Sequence, residues 1–201
     1  MMRESADSIL EKLRLECKEP YIPIVSMEGL EIVLRAARII GEGRALEIGT
    51  AIGYSSAVLA RALPGLTIDT IDKDPKRMEL AIELWEELNM TDRITPYLGD
   101  VREIIDDVIK DKTYDFVFMD GPKSAYLELL QKILPHIRKG GIIVSDNVSY
   151  MGMVESDNYP PHKHRTIVTN MRKYVKFLKS DLFETEILYS TGDGIAVSEV
   201  L

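Results

Sequence analysis

Apolar residues gather in seven short runs, separated by polar or glycine-containing segments. Arg44–Gly49, Thr67–Asp72, Ile94–Leu98, Tyr114–Asp120, Gly141–Asp146, Glu184–Tyr189 and Gly194–Ser198 read as strands. FVFM and GIIV are apolar without alternation, which suits strands covered on both faces. Helical spacing fills the intervals Ser26–Ile40, Ser55–Leu63, Pro75–Leu88, Val101–Ile109, Tyr126–Ile137 and Thr166–Leu178. The first twenty residues, MMRESADSILEKLRLECKEP, are also helical in period, which puts N-terminal helices within residues 1–40. Asp74-Pro75 forms a helix start, and Lys139-Gly140-Gly141 reads as a helix stop before a strand. Strand and helix in alternation predict an α/β fold, a mostly parallel sheet with helices on both faces. The short Ser190–Asp193 loop predicts a terminal hairpin and hence an antiparallel last strand. Val148–Arg165 is the one long irregular segment, rich in Pro, Tyr, Ser and Asn, and reads as a lid.

Composition narrows this picture. A chain of 201 residues fits a single domain, 1–201. The formal net charge of -8 repels nucleic acid and anionic membranes overall, while leaving room for a local basic patch. Cys17 is the single cysteine, which excludes an intrachain disulfide and argues against a thiolate zinc site. It reads as a packed helix residue rather than a nucleophile. The N-terminus lacks the apolar core of a signal peptide, and no apolar run reaches the ~20 residues of a membrane span. A cytoplasmic protein is expected.

Chemistry enters at LEIGTAIGYSS, where a strand ends in Glu47-Ile48-Gly49 and a helix begins near Gly53. Such a turn lies at the carboxyl edge of the sheet, where ligands bind. Gly49 and Gly53 allow close approach of a ligand to the backbone. The spacing is not G-x-G-x-x-G, and Glu47 would repel a diphosphate while attracting a cation. Asp72, ending the second strand, is placed to accept from two ribose hydroxyls. Gly99-Asp100 ends the third and can flank a base. A ligand with ribose, base and positive centre but no phosphate is S-adenosylmethionine (AdoMet). The competing reading is a plain strand–helix turn with incidental acids.

Asp120 closes the fourth strand and Asp146-Asn147 the fifth, neighbouring positions on one sheet edge. Two carboxylates and an amide oxygen are hard donors suited to Mg²⁺. No His or Cys nearby argues for zinc. Alternatively, both aspartates only cap loops. Lys123, three residues past Asp120, lies within reach of such an ion, whose repulsion favours the neutral amine and hence a base. A solvated loop lysine is the alternative. On the first reading the pair serves metal-assisted methyl transfer.

In order, PIVSMEGLEIVL, LEIGTAIGYSS, TIDKDP, Gly99-Asp100, VFMDGPKSAY, GIIVSDNV and GDGIAVS cover nearly the whole chain. This ordered set resembles the class I AdoMet-dependent O-methyltransferases of the catechol and caffeoyl-CoA type, especially their small bacterial members. The resemblance implies a seven-stranded Rossmann-like sheet ordered 3-2-1-4-5-7-6. It implies Mg²⁺ at Asp120, Asp146 and Asn147, and a general base at Lys123. It implies AdoMet contacts at Glu47, Gly49, Ser55 and Asp72, with Ile24 and Val25 near the methionyl end; Gly53, Gly99, Asp100, Val101 and Asp120 complete the candidate cofactor residues. A homodimer is expected. Gly121-Pro122 offer no aromatic wall before the lysine, so a catechol substrate is not implied.

An ion with open positions favours an acceptor carrying two adjacent oxygens: a catechol, a caffeoyl group, or a 5-hydroxyuridine. The stretch Asn158–Ser180, NYPPHKHRTIVTNMRKYVKFLKS, holds Lys163, Arg165, Arg172, Lys173, Lys176 and Lys179 and no acid. It suits an anionic acceptor such as RNA, with Arg165, Arg172 and Lys173 as contacts. The chain is also similar to bacterial family members that methylate 5-hydroxyuridine in tRNA. A solvated helix face is the bland alternative. Tyr150 and Tyr159 can stack on an acceptor ring or pack the lid. Two rival classes remain: a silent AdoMet-fold binding protein, opposed by the intact Asp120, Lys123, Asp146 and Asn147, and a NAD-dependent oxidoreductase, opposed by the missing pyrophosphate fingerprint.

Overall fold

The computed structural model describes residues 5–16 and 25–201; Cys17 and Ile24 lie outside the described residues. Helix starts follow local caps. Ser26 accepts from Gly29 N at 3.0 Å and opens α2, Met27–Ile40, after the short α1, Ala6–Glu16. Asp74 accepts from the amides of Lys76 and Arg77 ahead of α4, Pro75–Glu87, and Asp100 accepts from Arg102 N ahead of α5, Val101–Ile109. Each such cap is worth roughly 1 kcal/mol. The remaining helices are α3, Tyr54–Ala62, α6, Tyr126–Ile133, and α7, Arg165–Leu178.

The strands are β1, Gly43–Ile48, β2, Leu66–Asp72, β3, Ile94–Leu98, β4, Tyr114–Met119, β5, Ile137–Asp146, β6, Phe183–Leu188, and β7, Ile195–Val200. They form one sheet ordered β3-β2-β1-β4-β5-β7-β6. The pairs from β3 to β5 are parallel, and β7 runs antiparallel to both β5 and β6. The fold is thus the Rossmann-like α/β arrangement expected, with its terminal hairpin. The chain order reverses between β1 and β4, so a crevice opens at the carboxyl ends of those strands.

Alternate residues of β4 explain its unbroken apolar run. Phe116 and Phe118 pack with Val33, Leu59 and Trp85 on the face covered by α2–α4. Val117 and Met119 pack with Ile105, Leu130 and Tyr174 on the face covered by α5–α7. Burial of each such side chain stabilises by roughly 1.5–3 kcal/mol. Buried carboxylates interrupt this core, and one of them sits in the middle of a strand. Asp69, in mid-β2 and 2% exposed, accepts from Tyr114 Oη at 2.9 Å, Arg44 at 3.0 Å and Lys112 at 3.1 Å. Three donors offset what an unpaired buried carboxylate would cost.

The helix stop expected at Lys139-Gly140-Gly141 is not one. α6 ends at Ile133, a 3₁₀ turn follows over Leu134–His136 with Pro135 inside it, and β5 has begun by Ile137. The glycines lie within β5, where Tyr114 pairs with Ile137 but Phe116 with Ile142, so extra residues are accommodated on β5. Gly140 takes φ +74°, and a Cβ at Gly141 would lie 2.8 Å from Arg138 O. Glycine is needed there for a bulge rather than a cap. Among the described residues no helix is long and apolar enough to cross a membrane.

Candidate active site

The carboxyl ends of β1–β4 border a cleft of about 310 Å³, within the range of small-molecule sites. Gly49, Asp72, Gly99, Asp100, Val101 and Asp120 line it. A narrow recess beside it is bounded by Val25, Gly49, Ser55 and Asp120. These eight of the expected cofactor residues therefore come together around one opening. Lys73, Arg77 and Arg102 also line the cleft, positions that the sequence did not single out.

Asp72 holds the turn as well as facing the cleft. Its Oδ2 accepts from Ala51 N at 2.8 Å and its Oδ1 from Asp74 N at 3.0 Å. Each carboxylate oxygen has two lone pairs, so both can still receive a ligand hydroxyl. Asp100 spends one oxygen on the α5 cap.

Glu47 is not a cleft residue. It is 1% exposed, and Ser55 Oγ donates to it at 2.6 Å, Thr70 Oγ1 at 2.5 Å, and Ser56 Oγ as well. Burial pushes its carboxyl up to about 7 against the pull of those three hydroxyls. The carboxylate expected to attract a cation instead anchors the first turn of α3 to β2, with Ser55 standing between it and the recess.

The two glycines of the turn also serve the protein itself. Gly53, at φ +75°, carries Trp85 against it: a Cβ would lie 2.7 Å from the indole, whose Nε1 donates to Gly53 O at 3.0 Å. Gly49, at φ +104°, lies against the end of β4, and a Cβ there would overlap the carbonyl oxygen of Asp120. Gly121 returns the contact, since its Cβ would sit 2.7 Å from Ile48 Cγ2. The close approach inferred from these glycines is thus backbone to backbone between β1 and β4, as well as backbone to cleft.

At the β4 end, Lys123 Nζ donates to Asp120 Oδ1 at 2.8 Å; the two side chains are 17% and 26% exposed. On the adjoining β5 end, Asp146 accepts from Asn147 N at 2.7 Å, and Asn147 takes φ +58°. A left-handed asparagine at a strand end is a conformation often kept for function. Burial, and then the charge of Asp120, push the Asp146 carboxyl up to about 6, with Lys123 acting against them and Asp193 adding to them. Among the described residues no group of three His, Cys, Asp or Glu is set to hold a metal. The candidate set is two mutually repelling carboxylates and an amide, all hard oxygen donors, and it fits a divalent ion of the Mg²⁺ kind.

The turn carrying Lys123 is braced from two sides by contacts without a sequence signature. Arg102 donates to Ser124 Oγ at 3.0 Å, and Asn170 Nδ2 to Ser124 O at 2.9 Å. Partners 22 and 46 residues away in the chain leave no local pattern.

The 148–165 segment is fastened at its start and along its middle. Val148 N and Ser149 N donate to the carbonyls of Gly194 and Asp193 at 3.0 and 2.9 Å. Arg172 donates to Val154 O at 3.1 Å, Met153 O at 2.9 Å, Asn158 O at 3.3 Å and Ser156 O. Its guanidinium is spent on the lid backbone, so it is no free phosphate contact. Arg165 stacks on Tyr159 at 4.5 Å, with Tyr159 74% exposed. Lys163, Lys173, Lys176 and Lys179 are exposed, and none forms an ion pair among the described residues.

Comparison with known proteins shows the family and the fold. A family model described as O-methyltransferase matches residues 4–200. Caffeoyl-CoA O-methyltransferase of Populus kitakamiensis is 29% identical over 182 residues, covering 88% of this chain and 76% of that one. A Staphylococcus aureus structure with a provisional caffeoyl-CoA O-methyltransferase assignment superposes with TM-score 0.86 at 27% identity, covering 96% and 92% of the two chains. The O-methyltransferase TomG of Streptomyces achromogenes, solved in complex with SAM, gives 0.77 at 26% identity, covering 99% and 91%.

Proposed function

The chain belongs to the O-methyltransferase family, and on that premise we propose that it methylates a hydroxyl of an acceptor with two adjacent oxygens, using a divalent ion held by Asp120, Asp146 and Asn147. It is an AdoMet-dependent O-methyltransferase: the methyl–sulfur bond breaks, its electron pair stays on sulfur, and the methyl joins the acceptor oxygen. The observation that carries the finer reading is the 2.8 Å Lys123–Asp120 pair beside the Asp146–Asn147 strand end, at the mouth of the cleft holding Asp72.

Asp72 orients the ribose of the donor, and the Gly99–Val101 segment flanks its base. Lys123 takes the acceptor's hydroxyl proton at Nζ. An amine in that role presents a lone pair, whereas here Nζ donates to Asp120, so turnover requires that bond to yield. The ion, when bound, supplies positive charge that favours the deprotonated acceptor. Turnover abolished by EDTA and restored by Mg²⁺ supports the ion; full activity with the metal removed overturns it.

For the acceptor we propose 5-hydroxyuridine in tRNA. The acid-free stretch 158–180 supports it, with its exposed lysines and a solvent-facing Tyr159 backed by Arg165. Relatives named for caffeoyl-CoA favour the second reading, a small catechol-type or caffeoyl-type acceptor. The two separate in one assay: hydroxyuridine-containing tRNA and a panel of vicinal phenols, each with enzyme, Mg²⁺ and labelled AdoMet. Label recovered as 5-methoxyuridine supports tRNA; label only on the phenols overturns it.

A further inference from the structure

Tyr126 is the first residue of α6 and is fully buried. Its hydroxyl lies 2.7 Å from Met119 O and 3.2 Å from Asp146 O. Met119 immediately precedes Asp120, so one O–H is shared between the two strand ends that carry Asp120 and Asp146. The last paired rung of the β4–β5 ladder is Met119 with Ser145. The bond therefore ties the strands just past the end of their ladder, where parallel strands are free to part. The same ring has Lys123 Nζ 5.3 Å from its centroid.

We propose that Tyr126 is a positioning residue that fixes the separation of Asp120 and Asp146 and seats Lys123 over its ring. The proposal rests on the ion-dependent reading above. Tyr174 supplies an internal contrast. It is equally buried, packs edge-on against Tyr126 at 5.2 Å, and bonds Ser145 Oγ at 2.5 Å, but it touches neither strand-end carbonyl. If buried hydroxyls here mattered only for packing, the two tyrosines would behave alike.

The test is calorimetric titration of wild type, Tyr126→Phe and Tyr174→Phe with Mg²⁺ alone and with AdoMet alone. Partners that orient metal ligands commonly contribute 10–100-fold to affinity. Tyr126→Phe is expected to weaken Mg²⁺ binding at least about tenfold, with AdoMet binding unchanged. Tyr174→Phe is expected to leave both unchanged. Should Tyr126→Phe not fold alone, the ion titration is run at saturating AdoMet, which stabilises the folded chain by mass action. Equal Mg²⁺ affinity in wild type and Tyr126→Phe overturns the proposal alone, as does parallel loss of ion and AdoMet binding. A wild type that binds no Mg²⁺ overturns the ion reading and this proposal with it.

Discussion

Lys123 Nζ and Asp120 Oδ1 are 2.8 Å apart, joined across Gly121-Pro122 at the start of the 3₁₀ turn Lys123–Ala125. The bond gives Asp120 two claimants, the amine and any cation that enters. It also sets an amine directly against the β4 end.

Lys123→Met is expected to lower kcat about 10²–10⁴-fold, the usual loss on removing a general base. KM for the acceptor should change much less. Steady-state kinetics decide: an effect confined to KM reassigns Lys123 to substrate binding.

Asp72→Ala removes a carboxylate that both faces the cleft and pins Ala51 and Asp74. Charge-assisted hydrogen bonds are worth roughly 1.5–3 kcal/mol each, so AdoMet affinity should fall at least about tenfold. Calorimetry with unchanged affinity would take Asp72 out of the site.

Arg172 and the α7 lysines should separate. Replacing Lys173, Lys176 and Lys179 with alanine is expected to weaken tRNA binding and flatten its salt dependence, each lost phosphate contact lowering the slope by about 0.7–0.9. Thermal stability should hold. Arg172→Ala is expected instead to loosen the lid, read as faster proteolysis within 153–158. A salt slope untouched by the lysine triple removes α7 from RNA binding.

Glu47 predicts a pH signature. Its folded carboxyl titrates near 7 against an ordinary value of 4.5, so the native state holds that proton more tightly than the unfolded one. Its contribution is therefore most favourable below pH 4.5 and is lost as pH rises toward 7, by roughly 3 kcal/mol at most. Glu47→Gln should flatten the fall in Tm across that interval. Identical pH–Tm profiles for variant and wild type would show that Glu47 titrates normally.

Sequence pattern was sufficient where the determining neighbours are local. Asp74 caps a helix two residues away, and FVFM reads as a strand covered on both faces. Topology then placed Asp120 beside Asp146 without any contact being seen. It failed where a partner is remote. The hydroxyls that claim Glu47 lie 8, 9 and 23 residues off, and the carbonyls that claim Arg172 lie 14–19 residues off. A carboxylate at a strand end and an arginine on a polar helix look free in one dimension. Gly140-Gly141 misled for another reason: helix stops and bulges both need a residue without Cβ, and only the paired strand tells them apart.

The reciprocal contact of Gly49 with Asp120 and of Gly121 with Ile48 has a consequence for how such a protein can diversify. The turn after β1 and the end of β4 are one welded unit, and neither can be lengthened or re-spaced without displacing the other. Retuning of substrate range is therefore pushed outward, onto the 148–165 segment and α7. Lids exchanged between relatives on this frame should trade what is admitted while the donor-to-acceptor distance stays the same.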